Sequence, residues 1–507
     1  MAVRDEPPRE APVATPSTLT DTSEAAEPAG VVEPPRATPS SMQEWEALWS
    51  VERAAVIKKI SDGGYGISPD GQSALISQDY TVDLSTCPPG WNNTEGLTPS
   101  EIKLGFTAPL SGVLRAIGDA VKGWQLYLDQ VNGRGIPDAT GEIRRFTATV
   151  YDDGYDPVRT SAAVRELITT DKVFSLQTAG SPGSMGTRDT VQQQCIPRWS
   201  VLSGHPAWGD PLNHPWTTGD TLAYHSEAQL WGAFIEARAD ELRGADGKIT
   251  VAAVVMNNDI GNGYDAGFRA WLAQTPIRPD VEYVTERFEP ARPGIPVPGE
   301  TLVNTNPDVF FAMTAGASCS ELVVTAPHLG LQVAKALFVP SVCKSNNFMG
   351  KDRVGGDGSL AEGWWVVGGG TKAMDSLAFD ADPWVAHIRG LLEDREVDWR
   401  ANPQYLTGAG RLGWITEQVF RIASALEGGL SRVNLIVAWR NLDLTAPFLV
   451  EGVSFALDGR HDAYLVEGSE FATYNAAEQT FQHHGDVIDL SGRSPNCAWS
   501  QSEVRCD

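Results

Sequence analysis

The sequence predicts an α/β fold in which parallel β-strands are joined by helical crossovers. Strand-like and helix-like segments alternate along the chain from about residue 101 to residue 340. The segment from Lys248 to Met256 is apolar without alternation, which is typical of parallel strands covered on both faces. Loops rich in glycine and serine follow several of the strands. Because ligands of such sheets meet the carboxyl ends of the strands, these loops are the first candidates for a binding site.

The opening β-α-β unit illustrates the pattern. Its first strand carries the alternating apolar residues Ile102, Leu104 and Phe106, and Pro109 stops it. A helix follows and ends at glycine, and a second strand runs from Phe146 to Tyr151. Two segments at the strand ends, 109–112 and 152–156, are therefore predicted to form a binding rim.

Later elements repeat the unit. Strands are predicted at 173–177, 199–202, 248–256, 281–285, 308–313 and 336–340. Helices are predicted from 157, through 191, and at 227–242, 263–274, 382–394 and 411–427. Two loops at strand ends, 179–184 and 203–205, are rich in small residues whose amides and hydroxyls can hold a carboxylate. The Pro-rich segment 292–298 is predicted to be an inserted loop.

The amino-terminal hundred residues differ from the rest. Residues 1–40 are rich in Pro, Ala, Glu, Ser and Thr, so we expect a disordered tail. From Ser41 to Ile60 the apolar residues recur as on an amphipathic helix, and a short strand is predicted near Tyr80–Leu84. The segment 41–100 is expected to pack on the body as an extension.

Composition limits the possible partners. Lys plus Arg is 39 and Asp plus Glu is 65, which gives a formal net charge of −26. A surface of this charge repels nucleic-acid phosphate and anionic lipid. The sequence contains no run of about 18 uninterrupted apolar residues that could span a membrane. It also lacks an export-signal pattern, which fits either a cytosolic protein or a chain whose signal has been removed.

The six cysteines are even in number and dispersed, without Cys-x-x-Cys spacing. A zinc site is therefore not expected. The pairs Cys497–Cys506, Cys319–Cys343 and Cys87–Cys195 are expected as disulfides formed outside the cytosol, although connectivity cannot be derived from sequence. Buried free thiols are the alternative.

Enzyme motifs are absent from the sequence. There is no G-x-S-x-G elbow, no phosphate-binding G-x-x-x-x-G-K-[ST] loop and no H-E-x-x-H. Asp152 and Asp153 are adjacent on a strand and point to opposite faces, so they cannot flank one bond as an acid/base pair. No cofactor and no metal site is expected.

The opening unit also resembles a known family. Gly105-Phe-Thr-Ala-Pro-Leu-Ser-Gly112, then Gly118 and Gly123, then Tyr151-Asp152-Asp153 and Asp156-Pro157, resemble the extracytoplasmic solute-binding proteins of ABC importers of the branched-chain amino-acid and amide type. The resemblance continues to about Leu465. It implies a type I periplasmic-binding-protein-like fold, with two doubly wound lobes joined by hinge strands around a ligand cleft.

The resemblance also implies how the chain divides. The segment 363–366 resembles the return crossing to the first lobe, and 445–465 resembles the closing hairpin. We therefore expect this order of segments: 1–40 tail, 41–100 extension, 101–224 first lobe, 225–362 second lobe, 363–444 first lobe again, and 445–507 closing hairpin with a carboxyl-terminal extension.

The same resemblance supplies candidate ligand-binding residues, although turn-forming residues without ligand contact are the alternative. Those on first-lobe loops are Pro109, Leu110, Ser111, Ile117, Gly180, Ser181, Ser203, Gly204 and His205. Those expected from the second lobe and the crossing are Ile260, Ala315, Gly316, Ser318, Cys343, Lys344 and Trp364.

This chain departs from the amino-acid binders at two of these loops. The amino-acid binders place an aromatic ring where this chain has Ile260. At the position of the 341–344 loop they place a carboxylate that receives the ligand ammonium. Since no acid stands there, we expect a ligand with a carboxylate and an apolar body, such as an aromatic or steroid-like acid, with Lys344 as a counter-charge. Trp208, Trp364 and Trp365 are expected either to line the cleft or to pack in the core.

The sequence thus predicts a receptor that is not an enzyme. It is expected to be a monomeric extracytoplasmic protein that passes a small molecule to an ABC permease and touches the membrane only through a lipid anchor that has been removed. The alternatives are a branched-chain amino-acid or amide binding protein, a ligand sensor of the same fold, and a hydrolase that uses acidic residues in the cleft.

Overall fold

The computed structural model describes residues 38–112, 114–289, 302, 304–490 and 494–506. Residues 39–507 form one compact unit. Among the helices of the described residues, none is long and apolar enough to cross a membrane. The predicted tail before residue 38 and the predicted inserted loop 292–298 lie outside the described residues.

The amino-terminal segment consists of a helix and a small antiparallel sheet. Helix α1, Met42–Asp62, starts after the N-cap Ser41. The ring of Trp49 on this helix lies 5.6 Å from that of Trp384 and 5.5 Å from that of Trp414, measured between centroids. A common aromatic cluster therefore joins this segment to the body. The sheet consists of β1 Gly66–Ile67, β2 Ser73–Ser77 and β3 Tyr80–Asp83.

The first lobe contains a mainly parallel sheet. Its elements in chain order are β4 Glu101–Ala108, α2 Arg115–Asn132, β5 Ile136–Pro137, β6 Ile143–Asp152, α3 Pro157–Thr169, β7 Ser175–Thr178, α4 Ser181–Gly186, α5 Arg188–Gln193, β8 Arg198–Val201 and β9 Thr217–Gly219. Strand β4 lies between β6 and β7 and is parallel to both. The amide of Gly180 donates to the carbonyl of Leu202 and so connects the end of β7 to the β8–β9 pair. The predicted opening β-α-β unit is confirmed.

The second lobe contains a seven-stranded sheet in the order β11-β10-β12-β13-β14-β15-β16. Its elements before the return crossing are α6 Tyr224–Ala237, α7 Ala239–Leu242, β10 Ile249–Met256, α8 Asp259–Gln274, β11 Val281–Phe288, β12 Val309–Met313, α9 Ala317–Thr325, β13 Ala336–Val339, α10 Asn346–Met349, α11 Lys351–Val354 and β14 Trp365–Val367. Apart from Thr250, strand β10 is apolar and buried, and its side chains divide between the hydrophobic clusters on the two faces of the sheet.

Four further helices then rebuild the first lobe. They are α12 Pro383–Glu393, α13 Gln404–Thr407, α14 Trp414–Ala425 and α15 Arg432–Trp439, and a π-helical turn, Gly408–Gly413, joins α13 to α14. Glycine at 408 is required by packing, since a Cβ there would lie 1.7 Å from the carbonyl oxygen of Ala120 on α2. The return helices and the sheet of the first lobe share one hydrophobic core.

The predicted closing hairpin at 445–465 is wrong in position. The hairpin is formed by β15 Gly468–Asn475 and β16 Thr480–Asp489, which extend the sheet of the second lobe. The segment 445–465 is held by isolated bridges, because Pro447 lacks an amide donor and Gly452 and Gly459 take positive φ values. A two-stranded ribbon, β17 Trp499–Ser500 with β18 Arg505–Cys506, follows near the carboxyl terminus.

Two predicted loops are the starts of helices. Helix α4 begins at Ser181 within the predicted loop 179–184, and helix α8 begins at Asp259. The side chain of Asn258 accepts hydrogen bonds from the amides of Ile260 and Gly261, which is the N-cap that fixes the start of α8.

The structure contains three disulfides. They join Cys87 to Cys195, Cys319 to Cys343 and Cys497 to Cys506, which are the pairs that the sequence suggested. The first ties the amino-terminal segment to the first lobe. The last closes the carboxyl-terminal ribbon.

Candidate ligand-binding site

A cavity of about 200 Å³ lies between the loops at the carboxyl ends of the two sheets. The first lobe and the connection to the second contribute Ile117, Tyr155, Gly180, Leu202, Ser203, Gly204, Thr221 and Tyr224. The second lobe contributes Ile260, Ala315, Gly316, Ser341, Val342, Lys344, Ser345 and Phe348. The return segment contributes Thr371 to Asp375, Pro403, Gln404, Leu406, Thr407, Arg411 and Phe448. An apolar cavity of about 150 Å³ is known to hold benzene, so this cavity has room for one ring and a polar group.

Half of the candidate residues predicted from the sequence line this cavity. They are Ile117, Gly180, Ser203, Gly204, Ile260, Ala315, Gly316 and Lys344. Their convergence comes from the topology, because each follows a strand whose carboxyl end faces the other lobe. Whether these residues touch a ligand stays a prediction.

The other candidates lie outside the lining. Ser181 is buried and bonds to the hydroxyl of Ser203 at 2.7 Å, while Ser111 bonds to the carboxylate of Asp152 at 2.6 Å. The remaining candidates outside the lining are Pro109, Leu110, His205, Ser318, Cys343 and Trp364. Cys343 is engaged in the disulfide with Cys319.

The tryptophans are not walls of the cavity. Trp364 is buried edge-on against Phe310 in the core of the second lobe. Trp208 is buried in a cluster with Tyr464 and Trp499, and Trp365 packs on Phe234. These three rings therefore pack in the core, which is one of the two positions expected from the sequence.

Tyr155 is a lining residue that the sequence did not single out within the predicted rim. Its backbone takes φ +64°, an uncommon conformation for a residue with a side chain. Its ring passes so close to Gly180 that a Cβ there would lie 2.3 Å from the Tyr155 Cε2 atom. Glycine at 180, with φ +88°, is therefore what admits the tyrosine ring to the cavity wall.

The Tyr155 hydroxyl is a buried donor without an acceptor among the described residues. Burial raises the pKa of Tyr155 well above its ordinary value, so the hydroxyl keeps its proton.

Two more residues of the lining carry buried donors. The Thr221 hydroxyl and the Nε of Arg411 are buried, and neither has a hydrogen-bond partner within the described part of the chain. The other side of the Arg411 guanidinium forms an ion pair with Asp220 at 3.1 Å. Asp220 thus holds the guanidinium in place, while its Nε–H is left for another acceptor.

The lysines of the cavity already have partners. Lys344 is buried in an ion pair with Glu470 on β15, and its Nζ also donates to the carbonyl of Thr371 at 2.6 Å. Lys372 pairs with Asp382 at 2.7 Å. The structure therefore contradicts the expectation that Lys344 is a free counter-charge for a ligand, because its charge is neutralised from behind the cavity.

Among the described residues, Asp375 is the one lining carboxylate; no cation contacts it within ion-pair distance, although the Arg389 guanidinium acts on it from farther away and partly offsets the pKa rise. It accepts hydrogen bonds from the hydroxyl of Ser345 at 3.1 Å and the amide of Asn346 at 2.9 Å. Burial raises its pKa. The 341–344 loop indeed lacks an acid of its own, but the return crossing places one directly beside it.

Buried polar contacts fix the remaining loops. Glu227 on α6 accepts from the amide of Ser341 at 2.7 Å, from its hydroxyl at 2.6 Å and from the hydroxyl of Tyr264 at 2.9 Å. Desolvation raises the pKa of Glu227 to about 8. Tyr224 stacks near Tyr264 and reaches the first-lobe hydroxyl of Ser181 at 3.4 Å.

Comparisons with known proteins agree with this architecture. A family model described as periplasmic binding protein matches residues 101–355. The chain belongs to the periplasmic binding protein family. Members of this family are the solute-binding proteins of ABC transporters. No curated protein sequence matches this periplasmic binding protein.

Solved structures resemble the chain in fold. A branched-chain amino-acid ABC transporter protein from Thermus thermophilus with bound valine shares 15% identity at a TM-score of 0.64, over 78% of this chain and 97% of that one. A fatty-acid ABC transporter substrate-binding protein from Thermomonospora curvata shares 17% at 0.62, over 79% and 95%. A solute-binding protein from R. palustris in complex with benzoate shares 15% at 0.57, over 77% and 98%. At such identities, the similarity shows the fold and leaves the ligand open.

Proposed function

We propose that this periplasmic binding protein captures a small, partly hydrophobic carboxylate between its lobes and delivers it to an ABC permease. The observation that carries the proposal is that three residues lining one cavity, Tyr155, Thr221 and Arg411, carry buried donors without acceptors among the described residues. Native proteins leave few such groups unsatisfied, since each costs about 1–3 kcal/mol. A carboxylate has two acceptor oxygens and no donor, so it can accept from all three.

The rest of the lining supports an apolar ligand body. Side chains of Ile117, Leu202, Ile260, Phe348 and Phe448 face the same space. A volume of about 200 Å³ supports an acid with one ring or a short branched chain. It argues against the steroid-like acids of the sequence-based expectation. The benzoate complex named above shows that a protein of this fold can hold an aromatic acid.

An α-amino acid is the second candidate, and Asp375 favours it. Each lining cation is matched by an acid behind the wall, namely Lys344 by Glu470, Lys372 by Asp382 and Arg411 by Asp220. Among the described lining residues, the Asp375 carboxylate is then the charge without an ion-pair partner at contact distance, since Arg389 acts on it only from farther away. A ligand ammonium or hydroxyl near it would supply the missing partner, so the argument from a missing ammonium site no longer excludes amino acids.

Matched ligand pairs decide between the two candidates. We would measure thermal unfolding with 3-phenylpropanoate against phenylalanine, and with 4-methylpentanoate against leucine, because each pair differs only in the α-ammonium group. A ligand at about a hundred times its dissociation constant adds about 2.7 kcal/mol of stability. Stabilisation by the plain acids supports the first proposal. Stabilisation by the amino acids alone, lost in Asp375→Asn, supports the second. No shift with any carboxylate would refute both.

The setting of the protein is part of the proposal. We propose an extracytoplasmic, monomeric receptor without catalytic activity, anchored through a lipid, with lobe boundaries as expected from the sequence except that β14, β15 and β16 belong to the sheet of the second lobe. Three disulfides support an oxidising compartment. Cell fractionation and gel filtration test location and oligomeric state.

A further inference from the structure

The carboxyl-terminal ribbon, residues 494–506, contacts both lobes beside the cavity. Its strands β17 and β18 are closed by the disulfide between Cys497 and Cys506, which are nine residues apart. It lies beyond the matched part of the family model, which ends at residue 355.

The ribbon is fixed to the first lobe at its base. The amide of Cys497 donates to the carbonyl of Gly209 at 2.8 Å. The ring of Trp499 is 5% exposed and packs edge-on against His205, with 4.6 Å between the ring centroids. His205 directly follows Ser203 and Gly204, which line the cavity. The ribbon therefore supports this loop from behind.

The tip of the ribbon reaches the second lobe. The side-chain amide of Gln501 donates to the Asp259 carboxylate at 3.0 Å. Its carbonyl oxygen accepts from the indole N–H of Trp499 at 2.9 Å. Asp259 is the first residue of α8 and precedes Ile260, which lines the cavity. One short chain thus links a cavity loop of one lobe to a cavity helix of the other.

We propose that the ribbon is an interlobe strap, and that Trp499 and Gln501 are positioning residues that slow ligand release. Separation of α8 from the Ser203–His205 loop must break the Gln501–Asp259 hydrogen bond, because the base of the ribbon stays on the first lobe and the disulfide limits its reach. Hinge opening of two-lobe proteins separates such surfaces. The inference rests on the proposed function, since it concerns release from the same cavity.

The first test measures release kinetics with the full, disulfide-bonded chain. Gln501→Ala should raise the dissociation rate of 3-phenylpropanoate, followed by stopped-flow tryptophan fluorescence, about three- to tenfold, in line with the net contribution of one ordinary hydrogen bond, because this contact is exposed to solvent. The association rate and the unfolding temperature of the ligand-free protein should stay unchanged. Ser502→Ala, in the same exposed ribbon, is the matched control and should leave all three unchanged.

A double-mutant cycle isolates the contact. Asp259→Ala and Gln501→Ala should together raise the dissociation rate no more than the larger single effect, since each removes the same hydrogen bond. Additive effects, or equal changes in association and dissociation, would overturn the strap.

A ligand-free measurement separates this inference from the proposed function. Spin labels at the exposed positions Val158 and Val333, one on each lobe, report the distance between lobes. Gln501→Ala and Cys497→Ser/Cys506→Ser should add a second distance population. If 3-phenylpropanoate fails to bind, the ligand proposal fails while the label distances still test the strap; unchanged distances would refute the strap.

Discussion

Removal of the Tyr155 hydroxyl should stabilise the ligand-free protein and weaken ligand binding. The hydroxyl is buried and has no acceptor among the described residues, so Tyr155→Phe removes an unsatisfied donor without removing a bond. The ring and its φ +64° backbone are kept. We expect a gain of about 1 kcal/mol in unfolding free energy, or about 1 °C in Tm for a chain of this size.

The same change should cost affinity. A hydrogen bond to a charged group contributes about 1.5–3 kcal/mol, which corresponds to a roughly 10- to 150-fold weaker Kd for a carboxylate. Calorimetric titration and thermal unfolding measure the two effects on the same sample. Opposite signs are the distinguishing result, because a purely structural tyrosine would lose stability when truncated.

Tyr127→Phe is the matched control for this experiment. The Tyr127 hydroxyl is buried in the first lobe and donates to Glu417 at 2.8 Å. Its removal should lower stability by about 1.5–3 kcal/mol and leave affinity unchanged. If Tyr155→Phe instead destabilises the ligand-free protein, or leaves affinity unchanged, the hydroxyl is not a ligand donor and the argument from unpartnered donors fails.

Three further changes test other parts of the site. Gly180→Ala should abolish ligand binding and lower Tm well beyond the cost of its positive φ, because its Cβ would meet the Tyr155 ring. Gly247→Ala is the control in thermal unfolding: with φ +79° and open space around it, it measures the cost of a positive φ alone. The pKa of Glu227 is raised to about 8 from an ordinary 4.5, so its contribution to stability is full below pH 4.5 and is lost as the pH rises to 8. Glu227→Gln should therefore flatten the fall in unfolding free energy between these pH values, measured by urea unfolding. An unaltered slope would contradict the burial argument. Lys344→Met should destabilise the protein by about 3–5 kcal/mol, because it leaves Glu470 unpaired. The double variant Lys344→Met/Glu470→Leu should recover most of this stability in denaturant titrations, and a double variant no more stable than the single one would argue against the pairing.

Local sequence signals were sufficient for the architecture. The apolar run of β10 and the alternation in β4 depend on neighbours within a few residues, so the strands and their order along the chain could be predicted. The start of α8 was misplaced because the capping role of Asn258 is visible only when its side chain meets the following amides. The closing hairpin was displaced because family resemblance, rather than strand alternation, had positioned it.

The site was only half predictable for a different physical reason. The positions of residues that come directly after strands, such as Ser203 and Ile260, can be predicted from topology alone. Arg411 and Asp375 come from the return segment, whose approach to the cavity depends on contacts 191 positions apart for Arg411 with Asp220 and 30 positions apart for Asp375 with Ser345. The neutralisation of Lys344 by Glu470 is a contact of the same long range, which no local pattern signals.

The central claim is that the interlobe cavity recognises a carboxylate. The most direct measurement is a calorimetric titration of the tightest-binding acid of the ligand panel and of its primary amide, which has the same shape and no charge. The account predicts that the acid binds at least about tenfold more tightly, because charge-assisted hydrogen bonds are roughly twice as strong as neutral ones. Equal affinity for the acid and the amide would contradict it.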